Sequence, residues 1–356
     1  MEDFVNLSPI DEERVQRIHK EIDIFDGLAT HYLDREYIQL LKQTGINAVH
    51  YTVAFTTLVH KQNLEDNFET ACRNIGRWYR ILEENSDLVE LATSISSMEK
   101  IWKKGKIAIF FGFQNGSPIE DNLDYLTLFH KMGVRFIMLT YNIRNFIGSG
   151  GGESRDTGLS DFGLQVIKKM NQLGMCIDLS HCGNKTSWEA IEASEKPCIF
   201  THANPIVMAP TPRNKTDELI QSCVSKGGLV GPKHMIGNMV NKLAEETTVE
   251  DYVDIIDHYV DLVGIDNVSL GTDFSGTITG LADANAQIEA IRAMSPNAYV
   301  GKRAKPKGFD RIDGLYNVTR CLVKRGYSDE DVAKIYSKNL RRVLKVIFNE
   351  DKDDLI

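Results

Sequence analysis

The 356-residue chain is 42% hydrophobic and 26% charged, a balance that suits a soluble globular protein with a sizeable core. Its formal net charge of −9, from 41 basic and 50 acidic residues, argues for solubility, and no nucleic-acid partner is expected. The length is normal for one α/β barrel with insertions.

The N-terminus, M-E-D-F-V-N-L-S-P-I-D-E-E-R, is acidic and has no apolar h-region. Short apolar runs then recur at 22–27, 46–54, 107–114, 135–141, 176–181, 198–202, 229–234 and 268–274, with helical patterns between them. Eight such runs predict a parallel sheet closed into a (β/α)8 TIM barrel. The alternative, an open doubly wound sheet, lacks a G-x-G-x-x-G after its first run. After the fourth run lies a glycine-rich segment, 147–157, read equally as a mobile lid or a long surface connection. Ser160 caps a helix with Phe162, Val166, Ile167, Met170 and Leu173 on one face, and Gly174 stops it. The fifth and sixth runs, C-I-D-L-S-H and C-I-F-T-H, flank a helical segment at 183–196 that carries Trp188, Ile191 and Ala193. This βαβ unit makes the runs parallel and brings His181 and His202 out at the same end.

An irregular stretch, 294–311, follows the last run. Ser328 and Asp331 resemble a capping box, opening a final helix through Val332, Ile335, Leu340, Val343 and Ile347 that is expected to pack outside the barrel. No repeat or linker interrupts the pattern. The chain therefore reads as a single domain, 1–356, with its barrel core at about 22–290 and C-terminal helices at about 310–349. The six cysteines (Cys72, Cys176, Cys182, Cys198, Cys223 and Cys321) form no C-x-x-C pair. Several sit in apolar runs, so small buried hydrophobes are expected rather than disulfides or a structural zinc cluster. No stretch approaches a membrane span, and the C-terminus carries no lipid-anchor signal. The expectation is a reduced, cytoplasmic protein with no membrane partner.

Polar residues at the C-terminal strand ends of such a barrel converge on one mouth. Here they are Asp26, Tyr51, Gln114, Tyr141, His181, His202, Lys233, His234 and Asp273, with Arg213 shortly after the sixth run. Two imidazoles on neighbouring strand ends suit one zinc ion, and a nearby carboxylate suits proton transfer. Singly, each has a plainer reading. A strand-end histidine is usually a structural hydrogen-bonding residue. Asp273 reads as a loop cap, Arg213 as a surface charge, Lys233 as a solvated lysine, and Tyr141 as an aromatic wall. Convergence of the two histidines with Asp273 and Arg213 favours a site.

At this point the sequence resembles a known family. G-L-S-D-F-G-L-Q-V-I-K-K-M-N-Q-L-G-M-C-I-D-L-S-H, F-T-H-A-N, P-R-N-K-T-D-E, G-T-D-F-S-G and R-G-Y-S-D-E-D-V-A-K-I-Y-S-K-N-L-R-R-V resemble, in order over roughly 20–348, the membrane (renal) dipeptidases. These are zinc dipeptidases on an amidohydrolase-like barrel. The resemblance implies that His181 and His202 are two ligands of one zinc. It also implies that Arg213 contacts substrate near the scissile group, that Asp273 handles the proton, and that Asp26 opens the first-strand metal motif.

Other positions depart from the family pattern. The first-strand motif reads D-G-L-A-T, with Leu28 and Thr30 in place of a ligand histidine and aspartate. Gln114 replaces the glutamate that bridges two zincs, and Tyr141 replaces a histidine that polarises the substrate. His31 is offset by one residue and would point the wrong way in a strand, so it is no substitute. Leucine binds no zinc, and neutral side-chain oxygens are poor donors. A binuclear centre is therefore not expected. One zinc at His181 and His202, with Gln114 as a weak third donor, is the most the sequence supports, and a metal-free site is the alternative.

The sequence supports three readings. The first is a hydrolase of a dipeptide or small amino-acid-derived amide, with Asp273 as acid and base, Arg213 gripping the substrate, and Tyr141, Gln114 and Lys233 lining the pocket. The second is a metal-independent epimerase, isomerase or lyase tailoring a peptide-like metabolite, with Asp273 and His181 or His202 moving the proton. The third is a non-catalytic binding protein on an inherited barrel. The family resemblance also implies a homodimer.

Overall fold

The computed structural model describes residues 4–30, 33–54, 66–234, 239–240, 242–275 and 305–350. His31 and the 294–304 part of the irregular stretch lie outside the described residues. Eight parallel strands are present: β1 (Ile24–Thr30), β2 (Ile46–Ala54), β3 (Val89–Leu91), β4 (Ile107–Phe113), β5 (Val134–Met138), β6 (Cys176–Asp178), β7 (Cys198–Ile199) and β8 (Phe274–Ser275). They pair in the order β7-β6-β5-β4-β2-β1-β8, and β3 pairs with the first residues of β4. Parallel bridges from Phe200 to Val230 and from Val230 to Val268 span the interval between β7 and β8. Gly231 N–H donates to the Phe200 carbonyl at 2.8 Å, Ser269 to Val230 at 2.9 Å, and Gly27 to Leu270 at 2.9 Å. All eight predicted runs thus occupy stations around a closed (β/α)8 barrel. β3 is an addition; three residues are too few for a periodic signal. β1 runs to Thr30, three residues past its expected end, so Asp26, Leu28 and Thr30 share one strand.

The predicted helix ends follow from their caps. In the helix Asp161–Leu173, the Ser160 side chain accepts from Gly163 N–H, and Gly174 ends the helix in the left-handed region at φ 69°. In the helix Asn184–Ala193, Ile191 is buried but Trp188 is 40% exposed, so Trp188 is not part of the packing face. All six cysteines are free, five of them buried and Cys72 partly so. No helix among the described residues is long and apolar enough to cross a membrane.

The final helix corrects an expectation. Ser328 and Asp331 do form a capping box, but Asp329–Ala333 leads through a π-helical turn, Lys334–Lys338, into Asn339–Ile347. The extra residue in that turn changes which face the last helix presents. Leu340, Val343, Leu344 and Ile347 join one apolar cluster with Phe25, Ala48, Phe110, Phe136, Cys176, Ile199 and Leu229. Those strand residues alternate with Ile24, Val49, Ile109, Ile137, Ile177 and Val230, which pack in the larger cluster with the surrounding helices. The helix therefore closes the barrel interior at the strand starts, opposite the histidine-bearing ends. Lys196 Nζ ties it down through the Ile347 carbonyl at 2.5 Å.

Strand closure at β8 depends on a missing side chain. A Cβ at Gly271 would stand 1.7 Å from the Thr201 carbonyl oxygen, which is backbone and has nowhere to go. Gly271→Ala is expected to destabilise the fold by about 3 kcal/mol or to prevent folding, as measured by denaturant unfolding.

Candidate active site at the strand ends

His181 follows β6 and His202 follows β7, so the βαβ unit delivers both rings to one place, as predicted. Their Nε2 atoms face each other at 3.1 Å, and both residues are buried. His202 Nδ1 lies 2.8 Å from Thr201 Oγ1, which donates in turn to Asp178 Oδ2 at 2.5 Å. With its own proton committed to Asp178, Thr201 accepts from His202, which fixes that ring as the Nδ1–H tautomer. Asp178 also accepts from Ser180 N–H at 2.9 Å and Ser180 Oγ at 2.6 Å. Burial pushes the Asp178 carboxyl up, and these hydrogen bonds pull it back.

Arg213 sits behind the pair, only 1% exposed. Its Nε donates to His181 Nδ1 at 3.1 Å, Nη2 donates to the His202 carbonyl at 3.3 Å, and Nη1 donates to the Ser180 carbonyl. The Asn142 carboxamide oxygen lies 2.8 Å from the same Nδ1, and Tyr141 stacks on the His181 ring at a centroid distance of 4.2 Å. Burial, then the charges of Arg213 and Lys233, hold His181 well below its ordinary pKa. Burial does the same for His202, against an opposing pull from Asp273. Both shifts favour the neutral rings.

Lys233 and Asp273 form a second pair, with Nζ 3.0 Å from Oδ2 and both side chains buried. A solvated lysine was the plainer reading of Lys233, and burial overturns it. Asn204 clamps its backbone, accepting from Lys233 N–H at 2.7 Å and donating to its carbonyl at 3.0 Å. Asp273 is held in the left-handed region at φ 59°, where an aspartate is tolerated but uncommon. Two contacts fix it. Asp273 N–H donates to the Leu28 carbonyl at 2.9 Å, while Asp26 accepts from Thr272 N–H at 2.9 Å and Thr272 Oγ1 at 2.5 Å. Asp26 is thus a brace between β1 and the eighth strand.

The remaining predicted residues separate. Gln114 is buried beyond the end of β4, and its Nε2 has no hydrogen-bond partner. His234 stacks on Phe274 and bonds the Thr272 carbonyl through Nδ1, which makes it a packing residue. Tyr51 packs its ring against Trp78. The glycine-rich segment is neither of the things expected of it. Its first half is buried, Gly151 N–H donates to the His181 carbonyl at 2.8 Å, and Gly183 N–H donates to Ser149 at 2.9 Å. Asp156 caps the following helix through Lys185 N–H at 2.7 Å. The segment is a strap that fixes the turn at His181. Sequence reasoning missed Asn142, Asp178, Thr201 and Lys215. A charged residue inside the apolar run C-I-D-L-S was the available signal for Asp178; Lys215, buried against the Cys182 carbonyl, gave none.

The donors do not fit a two-metal centre. Leu28 is fully buried in β1 beside neutral Thr30, and no group of three or more His, Cys, Asp or Glu side chains among the described residues converges on one point. The 3.1 Å between the Nε2 atoms is close to the roughly 3.3 Å that two imidazoles on one tetrahedral zinc would show, but no third His, Cys, Asp or Glu among the described residues joins them.

A closed parallel barrel thus carries two strand-end histidines and a buried carboxylate at one mouth. A model of the membrane dipeptidase family, peptidase family M19, matches residues 12–294. The chain belongs to that family. It is 28% identical over 295 residues to the dipeptidase tcpJ of Claviceps purpurea, covering 82% of this chain and 62% of that protein, less than two thirds of its length. The crystal structure of an amidohydrolase from Pseudomonas aeruginosa superposes with a TM-score of 0.84 at 31% identity, over 94% of this chain and 99% of that one. A Rhodobacter sphaeroides metallopeptidase, solved with a phosphinate mimic of L-Ala-D-Ala, shares the fold at a TM-score of 0.75 and 18% identity, over 92% and 99%.

Burial raises the Asp26 carboxyl to about 6, with Thr272 and Leu28 pulling it back. A carboxyl raised on folding opposes folding once ionised. Its cost is absent below the unfolded value near 4 and complete above about 6. Asp26→Asn is expected to remove a stability loss on the order of 2–3 kcal/mol that develops as pH rises through that window. Unfolding free energies of both proteins across the window check this, since lost hydrogen bonds shift all pH values alike.

Proposed function

We propose that this protein is a membrane-dipeptidase-like enzyme acting on a dipeptide or a small amino-acid-derived amide, with at most one metal ion at His181 and His202 and with Asp273 as acid and base. The observation that carries the reading is the buried Asp273–Lys233 pair, held at the strand ends beside the two histidines. Membership of a dipeptidase family supports hydrolysis over isomerisation and over a non-catalytic barrel.

In this reading Asp273 takes a proton from water as the water oxygen adds to the amide carbonyl carbon. It then gives that proton to the nitrogen as the C–N bond breaks, leaving a carboxylic acid and an amine. Lys233 supplies positive charge beside the reacting group. Arg213 holds the His181 ring and the His202 backbone in place. The Gln114 amide nitrogen, buried with no partner, is a donor for a substrate oxygen. Tyr141 forms the wall over His181. A cytoplasmic setting, one barrel domain and a homodimer belong to the same reading. The six free cysteines support the first of these.

Asp273→Asn is expected to lower kcat on a cleaved dipeptide by about 100-fold or more while leaving KM within a few-fold. A dipeptide panel assayed with and without added zinc is the test. Failure of the wild-type protein to cleave any member under any metal condition would sink the proposal.

A further inference from the structure

Two neighbours of His181 Nδ1 make incompatible demands. Arg213 Nε, 3.1 Å away, carries a hydrogen and can only donate. The Asn142 carboxamide, 2.8 Å away, serves as donor or acceptor by turning its amide over. The guanidinium has no such freedom, so it decides the matter. Nδ1 is bare, and the His181 proton sits on Nε2. His202 has the opposite tautomer, with its proton on Nδ1 toward Thr201 and a bare Nε2. The 3.1 Å contact is then a complete Nε2–H···Nε2 hydrogen bond. A metal held by both rings needs both Nε2 atoms bare. That would put a proton on His181 Nδ1, facing the Arg213 N–H.

Charge opposes a metal as well. Lys233, which is buried, lies within electrostatic reach of His181 and His202. The carboxylate that could complete a ligand set, Asp273, is already engaged by Lys233. A fixed ammonium beside the candidate ligands weakens the binding of a divalent cation by like-charge repulsion.

We propose that this barrel mouth is built to work without a bound metal: the His181–His202 hydrogen bond fills the place between two ligand imidazoles, and the Lys233 ammonium, paired with Asp273, is the resident cation of the site. The inference deepens the proposed function and rests on it only for the role of Asp273. Lys233 is a positioning and charge-supplying residue, and its role has a readout independent of turnover.

The probe is zinc ion itself, titrated calorimetrically into chelator-treated full-length protein. The wild type is expected to show no one-to-one binding tighter than about 100 μM. Histidine-selective ¹⁵N spectra, assigned with His181→Gln and His202→Gln, are expected to show His181 as the Nε2–H tautomer and His202 as the Nδ1–H tautomer, unchanged by zinc. Lys233→Met, which removes the cation and releases the Asp273 carboxylate, is expected to bind zinc at least tenfold more tightly than the wild type. Lys233→Arg, which keeps the charge, is expected to behave as the wild type. Stoichiometric, tight zinc binding by the wild type overturns the proposal, as does a Lys233→Met protein that folds and binds zinc no better. If Lys233→Met does not fold, the wild-type titration and tautomers decide alone. Absence of dipeptide cleavage would remove the proposed hydrolysis without touching these measurements.

Discussion

A guanidinium buried to 1% exposure must place its N–H groups on acceptors, and Arg213 finds three of them on the two strands that carry the histidines. An unpaired buried charge costs several kcal/mol, so the carbonyls of Ser180 and His202 and the ring of His181 are held to Arg213 as firmly as it is held to them. The ring of His181 and the backbone of His202 are both held by this one side chain. The tautomer of His181 follows from it too, because a guanidinium donates and never accepts. Asp178 and Thr201 do the complementary work for His202 from the barrel side. The pair is thus clamped between a buried cation and a buried anion of opposite hydrogen-bonding character, and the two rings differ in protonation pattern although burial favours the neutral form of both.

Much of the barrel was legible in the sequence because parallel strands buried on both faces read as unbroken apolar runs, and eight of them were separated by helical spacing. The meeting of His181 and His202 followed from βαβ geometry alone. Lys233 was misread for a definite reason. Lysine at a strand end is usually solvated, and nothing local to G-P-K-H announces an aspartate 40 residues further on. The final helix was misplaced because a capping box predicts where a helix starts and says nothing about a π-turn that changes which face it buries. The glycine-rich strap misled in a similar way. Its glycines suggested freedom, whereas Gly150 and Gly183 are small because Asn142 and Asp156 pack where side chains would be.

The departures from the family pattern form a coherent set once their charges are considered together. Leu28, Thr30 and Gln114 stand where the resemblance implies anionic and imidazole ligands, while Lys233 is paired with Asp273. In the proposed metal-free site the cation belongs to the chain, so it could not be lost to a chelator or exchanged for another metal. It also cannot change its coordination during a reaction, so the flexibility a metal gives must come from the substrate or from water. Asp26, which opens the metal motif in the family, remains in the barrel as the strut that holds Thr272 and hence the strained backbone of Asp273.

The Thr201 carbonyl oxygen is approached by three glycines from three different strands. A Cβ at Gly27, Gly231 or Gly271 would lie 3.6, 2.5 or 1.7 Å from it. Thr201 is also the residue that orients His202, so this crowded wall and the reactive pair share a single peptide unit. A side chain at Gly231 or Gly271 would press on the peptide that also orients His202. A second substitution there would fall on a peptide already displaced by the first, so the effects of the two would not simply add.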